Sequence, residues 1–344
     1  MGVTRSGGVA YHRRGIEGVP AMPKLPKQRH RVIEIVTYLA LRLAVCVVQA
    51  VPPALAFWFA DRIAYLVYRF IPSRRRIALE NLAAAFPELA RDPGRADRTV
   101  RAMYRHFLRA AVEGLILPRK LHIGNWRAFV DLYPATGMPA ALFSDRPALI
   151  VTAHFGNWEM AGYATGAMGF KTYAIARMFE NPYLERFIRR LRQSTGQTII
   201  AKKDDFDRLT AVMAGGGKIA TLADQDAGAR GVFVNFFGRP ASTHKAIALM
   251  AIQFGALIVV TGVPRVSRTG RATMAAPAGM DGTYYAVEVA EVIDPRDYAD
   301  RPDAVRAITE RYTAGLERLI REHPEQYLWL HRRWKHQPKV KQAA

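Results

Sequence analysis

The sequence predicts an α/β protein, a sheet flanked by helices, preceded by an N-terminal helical segment that seeks a membrane. Three observations carry that prediction. From residue 147 onward, short Val- and Ile-rich runs bounded by Gly, Pro or polar residues alternate with helical stretches, as strands and their covering helices do in α/β folds. Residues 32–72 are the most apolar region of the chain. A length of 344 residues, 50% of them hydrophobic, also suffices for a large core in one or two domains.

Residues 1–31 scatter Gly, Pro, Arg and Lys without an apolar period, the composition of a mobile basic arm. The opening MGVTRS is a short match to a myristoylation pattern, and no signal-peptide cleavage site follows the apolar segment. Within 32–72, Ile33 to Val51 approach the roughly 20 apolar residues that a spanning helix needs. Arg42 would then lie mid-span, at a cost of at least about 2.5 kcal/mol. Both flanks are also basic, with Arg29 and Arg31 before and Arg74, Arg75 and Arg76 after. Two in-plane or shallowly inserted helices, broken at Pro52 and Pro53, fit better, with Trp58, Tyr65 and Tyr68 at headgroup level. A buried core hairpin and a single true span are the alternatives.

Residues 74–89 and 96–117 carry apolar residues at helical spacing with charges between them and read as amphipathic helices. Strands are expected at 147–153, 171–177, 218–224, 256–265 and 284–293, separated by helical stretches at 181–196, 204–217 and 243–255. Ligands in such sheets bind beyond the carboxyl ends of strands. That rule points to His154, Arg177 and Asp224 and the residues after each.

One cysteine, Cys46, excludes disulfide frameworks and Cys-rich zinc sites. No dinucleotide fingerprint, Walker loop or serine-nucleophile elbow is present. A net charge of +21 calls for an acidic partner: nucleic acid, anionic lipid, or an acidic substrate or carrier protein. Nucleic acid is not expected, because no zinc finger, RNP-type run or helix-turn-helix signature gathers the basic residues into one module.

The chemistry concentrates in HFGNWE, residues 154–159. On one ideal helix, His154 and Glu159 would lie about 140° apart. They meet only if His154 precedes a helix whose first turn carries Glu159. Glu159 would then hold the proton on one ring nitrogen while the other takes a substrate proton; a locally tethered, non-catalytic histidine is the alternative. Zinc is not expected, because no second histidine or cysteine lies nearby in the sequence.

Several stretches together resemble the late acyltransferases of lipid A biosynthesis, within the lysophospholipid and glycerophosphate acyltransferase superfamily. HFGNWE is similar to the family's H-x-x-x-x-D/E motif. LADQDAGARGVFVNFFGRPAST (222–243) is similar to its acidic-glycine block, HPEQYLWLHRRWK (323–335) to its terminal signature, and YRFIPSRRRIALENLAAAFPEL (68–89) to its linking segment. The resemblance implies a glycerol-3-phosphate acyltransferase-like fold, divided into a basic arm (1–31), membrane-associated helices (32–72) and an acyltransferase catalytic domain (73–340). It implies transfer of an acyl chain from an acyl carrier protein or coenzyme A thioester to a glycolipid hydroxyl at the cytoplasmic face of the cytoplasmic membrane. No cofactor is implied beyond that co-substrate, and no metal.

By motif position His154 is the general base and Glu159 its partner, with Asn157 and Trp158 shaping the site. Arg177 is placed for the acceptor or the thioester oxygen, and Asp224, Gln225, Asp226 and Gly228 for sugar hydroxyls. Packing, a turn or an ordinary surface charge is the alternative for each of these. The basic run 186–193, with Lys202 and Lys203, is a candidate docking surface for an acidic carrier or lipid phosphates. Acylation of another glycolipid, such as a phosphatidylinositol mannoside, or of a lysophospholipid stays open, as does a membrane-bound scaffold with a degenerate site.

Overall fold

The computed structural model describes residues 31–132, 135–202, 205–268 and 274–338. The predicted arm, apart from Arg31, and Lys203 lie outside the described residues. Five helices open the fold: α1 (Arg31–Ala50), α2 (Pro53–Phe70), α3 (Pro72–Ala85), α4 (Pro87–Ala90) and α5 (Pro93–Lys120). There follow β1 (Val130–Asp131), α6 (Met138–Phe143), β2 (Ala148–Thr152), α7 (Trp158–Ala167), β3 (Thr172–Ala176), α8 (Pro182–Arg192), β4 (Thr198–Ala201), α9 (Phe206–Ala214) and β5 (Lys218–Leu222). The remainder is β6 (Val232–Phe236), β7 (Arg239–Thr243), α10 (Ala246–Phe254), β8 (Leu257–Gly262), β9 (Tyr285–Ala286), β10 (Glu288–Ile293) and α11 (Ala304–Glu322).

The main sheet has six strands in the order β10-β8-β2-β5-β3-β4, parallel except for β10 at one edge. Side chains alternate across a strand, and β2 and β8 feed two cores accordingly. Leu149, Val151, Ile258 and Val260 enter one with α10 and α11; Ile150 and Val259 enter the other with α6 and α7. Full burial of such a side chain contributes about 1.5–3 kcal/mol, so β2, which leads to His154, and β8 beside it are firmly held. The expected strand 284–293 is divided, because β9 leaves to pair with β1.

α1 and α2 break at Val51–Pro52, where the paired prolines predict it. α1 is long and apolar enough to cross a membrane by length and composition, yet one stripe of it is fastened to the body along its whole length. Arg31 Nε reaches Tyr183 Oη at 3.5 Å and Asn181 donates to the Glu34 carbonyl at 2.9 Å. Tyr38 packs on Tyr183 and Phe187, Arg42 lies 5.0 Å from the Phe187 ring, Val45 is buried, and Gln49 donates to the Leu115 carbonyl. Arg42 therefore has an aromatic partner on α8. The other stripe leaves Val32, Val36, Leu39, Leu43 and Val47 exposed, and α2 adds Trp58, Phe59, Ile63 and Leu66.

Candidate active site

The parallel register of β2 and β5 builds the site. Thr152 pairs with Leu222, so His154 and Asp224 leave their strands level and side by side. His154 Nδ1 and Asp224 Oδ1 are 2.9 Å apart. Asp224 is 1% exposed. Burial opposes its charge, but the adjacent His154 ring outweighs that through charge and hydrogen bonding, with help from His331, and holds the carboxyl below its ordinary value. An ionised carboxylate only accepts hydrogen bonds. Nδ1–H therefore donates to Asp224, and in the neutral ring Nε2 carries the lone pair.

The loop after His154 is clamped from three sides. Gly156 has φ +60°, and a Cβ there would lie 2.0 Å from the Val263 carbonyl oxygen; only glycine fits. Asn157 N donates to that same carbonyl, Gly156 N donates to Gln326 O, and Leu328 N donates to His154 O, at 2.8, 3.0 and 3.0 Å. The 323–335 signature thus acts partly as backbone that holds the 154–157 loop. His106, pushed down to about 4 by burial, is neutral, and its Nε2–H donates to the Gly156 carbonyl at 2.9 Å. Asn157, 2% exposed, caps α7 by accepting from Met160 N at 3.1 Å. Its amide donates to the fully buried Glu113 at 3.0 Å. Arg265 binds the other Glu113 oxygen at 2.5 Å, and the Tyr285 hydroxyl also donates to this carboxylate.

His154 lies against Trp158 on one side and His331 on the other, with ring centroids 5.2 and 4.7 Å away. Beyond it opens a cavity of about 900 Å³ lined by Leu132, Met138, Leu142, Phe143, Ile150, Phe170 and Ile175, with Arg177, Arg192, Lys202 and Gln225 at its polar end. That volume is near the upper limit of small-ligand pockets, roughly 300–1,000 Å³, and its walls suit a long hydrocarbon. His154, Asp224 and His331 also bring three donor atoms within 4.8 Å of one another, a spacing that can gather a divalent ion. The direct His154–Asp224 hydrogen bond also suits the pair to handling a proton.

The bacterial lipid A biosynthesis acyltransferase family matches residues 22–336 of this chain. The chain belongs to that family. The acyltransferase is 24% identical over 297 residues to the lipid A biosynthesis palmitoleoyltransferase of Escherichia coli (strain K12), covering 85% of this chain and 88% of that one. It is 27% identical over 167 residues to the phosphatidylinositol mannoside acyltransferase of Mycolicibacterium smegmatis, covering 47% of this chain and 54% of that one. The 1-acyl-sn-glycerophosphate acyltransferase PlsC of Thermotoga maritima aligns at 14% identity and TM-score 0.34, over 83% of this chain and 97% of that one.

Within the acyltransferase, several expected roles change. Asp224, not Glu159, holds the His154 ring. Glu159 sits in the first turn of α7 and turns to α8, where Arg192 Nη2 and Nε bind it at 2.7 and 3.0 Å. Asn157 is a cap and an interior hydrogen-bonding residue, not a surface for substrate. Asp226 and Gly228 form a turn, in which Asp226 accepts from Gly228 N at 3.1 Å and from His336 Nδ1 at 2.6 Å, and neither lines the cavity. Trp158, Arg177 and Gln225 do line it. The expectation that no second histidine lies near His154 is overturned by His331, which is far away in sequence and adjacent in space. Of the basic run, Arg189 and Arg192 are committed to Glu185 and Glu159, while Arg186 and Arg190 remain exposed.

Proposed function

We propose that the acyltransferase moves a fatty acyl group from an acyl carrier protein or coenzyme A thioester to a hydroxyl of a membrane glycolipid, of the lipid A precursor type. The observation that carries this reading is the buried His154–Asp224 pair at the polar end of a long apolar cavity. The acyl chain lies in the cavity. His154 Nε2 takes the acceptor proton as the hydroxyl oxygen bonds to the thioester carbonyl carbon. The carbon–sulfur bond then breaks, and the same proton passes to the departing thiolate, so no acyl-enzyme and no cofactor are needed. Trp158 and Gln225 border the reacting groups, and Arg177 meets an anionic group of a substrate. Glu159 fixes Arg192 at the cavity's polar end. The exposed Arg186 and Arg190 give an acidic carrier a surface to approach.

The apolar stripe of α1 and the outer residues of α2 support a reading in which these helices lie in the plane of the membrane at its cytoplasmic face, with the catalytic domain beneath. The phosphatidylinositol mannoside relative keeps a second glycolipid class in view. Mass spectrometry of lipids from cells with and without the protein distinguishes the two: a missing secondary acyl chain identifies the acceptor, and an unchanged lipid profile sinks the reading. In purified enzyme, His154→Ala and Asp224→Asn each lower kcat by about 10²-fold or more, and Glu159→Gln does so by less than Asp224→Asn. A larger loss from Glu159→Gln would return the orienting role to Glu159.

A further inference from the structure

Resting on that function, we propose that His154, Asp224 and His331 form a binding site for divalent zinc, and that an ion held there stops acyl transfer. The three residues follow β2, follow β5 and lie in the terminal segment, and each brings one donor atom within 4.8 Å of the other two. With His331 beside His154, the second imidazole that a zinc site calls for is in place.

The spacing suits a small, tetrahedrally bound ion. Zinc holds nitrogen and oxygen ligands at about 2.0–2.1 Å, so two of them stand about 3.3 Å apart along one edge of the tetrahedron. His154 Nδ1 and Asp224 Oδ1, 2.9 Å apart, already approach that edge. The His331 ring, its centroid 4.7 Å from that of His154, supplies a third corner. Its backbone is fixed, because Asn81 donates to the His331 carbonyl at 2.6 Å.

Asp224 supplies the independent observation. It is 1% exposed, and its second oxygen, Oδ2, has no hydrogen-bond partner. The Tyr327 hydroxyl, close enough to feel the Asp224 charge, has none either. A buried carboxylate oxygen with nothing to accept is costly, and a bound cation relieves that cost. Two imidazoles with one carboxylate favour zinc over magnesium or calcium, which take oxygen ligands. The cavity reaches His154 and Gln225, which gives the ion a way in and water a place to complete its shell.

The consequence for catalysis follows from the lone pairs. A neutral imidazole has one N–H and one nitrogen lone pair. An ion bound to Nε2 takes that lone pair; an ion bound to Nδ1 leaves the ring proton on Nε2. In both cases His154 has no lone pair left for the proton of an acceptor hydroxyl, and the transfer cannot begin.

The experiment uses the full-length, tag-free enzyme, freed of metal by a chelator and dialysed. Zinc binding is measured by calorimetry and cobalt(II) binding by the visible absorption of a tetrahedral site, both without substrate. Wild type should bind both ions. His331→Gln and Asp224→Asn, each checked for an intact melting transition, should weaken binding by at least about 10- to 100-fold, since losing even an outer partner of a metal ligand costs that much. Glu288, Glu322 and His323 form a second group with donor atoms equally close, so Glu322→Gln is the control and should leave the cobalt spectrum as it is. In acyl-transfer assays zinc should lower the wild-type kcat until chelator restores it, and His331→Gln should need at least about tenfold more zinc for half inhibition. Absent binding, binding that His331→Gln leaves undiminished or Glu322→Gln removes, or zinc that fails to slow transfer overturns the proposal and leaves the proposed function standing. Wild type that binds zinc through His331 but transfers no acyl group without it overturns the function, and with it the inhibition, while the ion site stands.

Discussion

At the scale of single residues, burial decides protonation. His106 is held down to about 4 inside the molecule, whereas an unfolded chain protonates near 6.5. The unfolded chain thus takes up a proton between roughly pH 6.5 and 4 that the folded chain refuses, and stability falls as pH drops through that window, by up to about 3 kcal/mol. His106→Gln keeps a donor for the Gly156 carbonyl but does not titrate. Its melting temperature should fall less than that of wild type between pH 7 and 4; parallel falls would show that His106 already binds its proton in the folded state. His154 is legible in the sequence because a histidine directly after a buried strand is exposed to the crevice there. Its true partner is not. Asp224 reaches it because β5 sits beside β2, although β3 and β4 come between them in the chain, and no local spacing encodes that neighbour. Glu159 is closer in sequence, but its place in the first turn of α7 directs it to Arg192.

At the scale of elements, the buried strands β2 and β8 announce themselves through Val and Ile runs, and the half-buried β3 and β5 through short apolar runs bounded by polar residues. β4 does not: four residues, TIIA, follow a basic helix too closely to stand out. The β6–β7 hairpin is hidden inside the acidic-glycine block 222–243, which reads as a motif and not as two strands. Its turn, Phe237-Gly238, has φ +54° and +73°, both in the left-handed region that tight hairpin turns require. The strand-to-helix turn after β2 permits a sharp test. Gly156→Ala would drive a Cβ into the Val263 carbonyl at a positive φ. The loop must then shift, at a cost of several kcal/mol. Melting temperature and activity should both drop, whereas Gly228→Ala, also at a positive φ of +74° but with open space around its Cβ, should lose less of either. Similar losses at the two glycines would refute the clamp.

At the scale of the whole molecule, the apolar helices legible at 32–72 prove to be attached to the rest of the fold along one stripe and bare along the other. The bare stripe predicts the outcome of a vesicle experiment. Leu39 and Leu43 are 56% and 67% exposed, so Leu39→Glu with Leu43→Glu should leave the melting temperature nearly unchanged. Flotation with anionic vesicles should weaken about tenfold or more. Undiminished flotation would place membrane contact elsewhere. The sequence suggests two helices here but not which stripe of each is covered, because that depends on Tyr183 and Phe187 of a distant helix. The terminal signature has a consequence in time. Gln326 and Leu328 hold the backbone of Gly156 and His154, and His331 flanks the His154 ring. A ribosome makes α1 first and these residues last of the parts the site needs. On the proposed function, the nascent chain therefore carries its apolar helix for most of synthesis without a positioned His154, and it becomes competent for acyl transfer only after that helix has emerged.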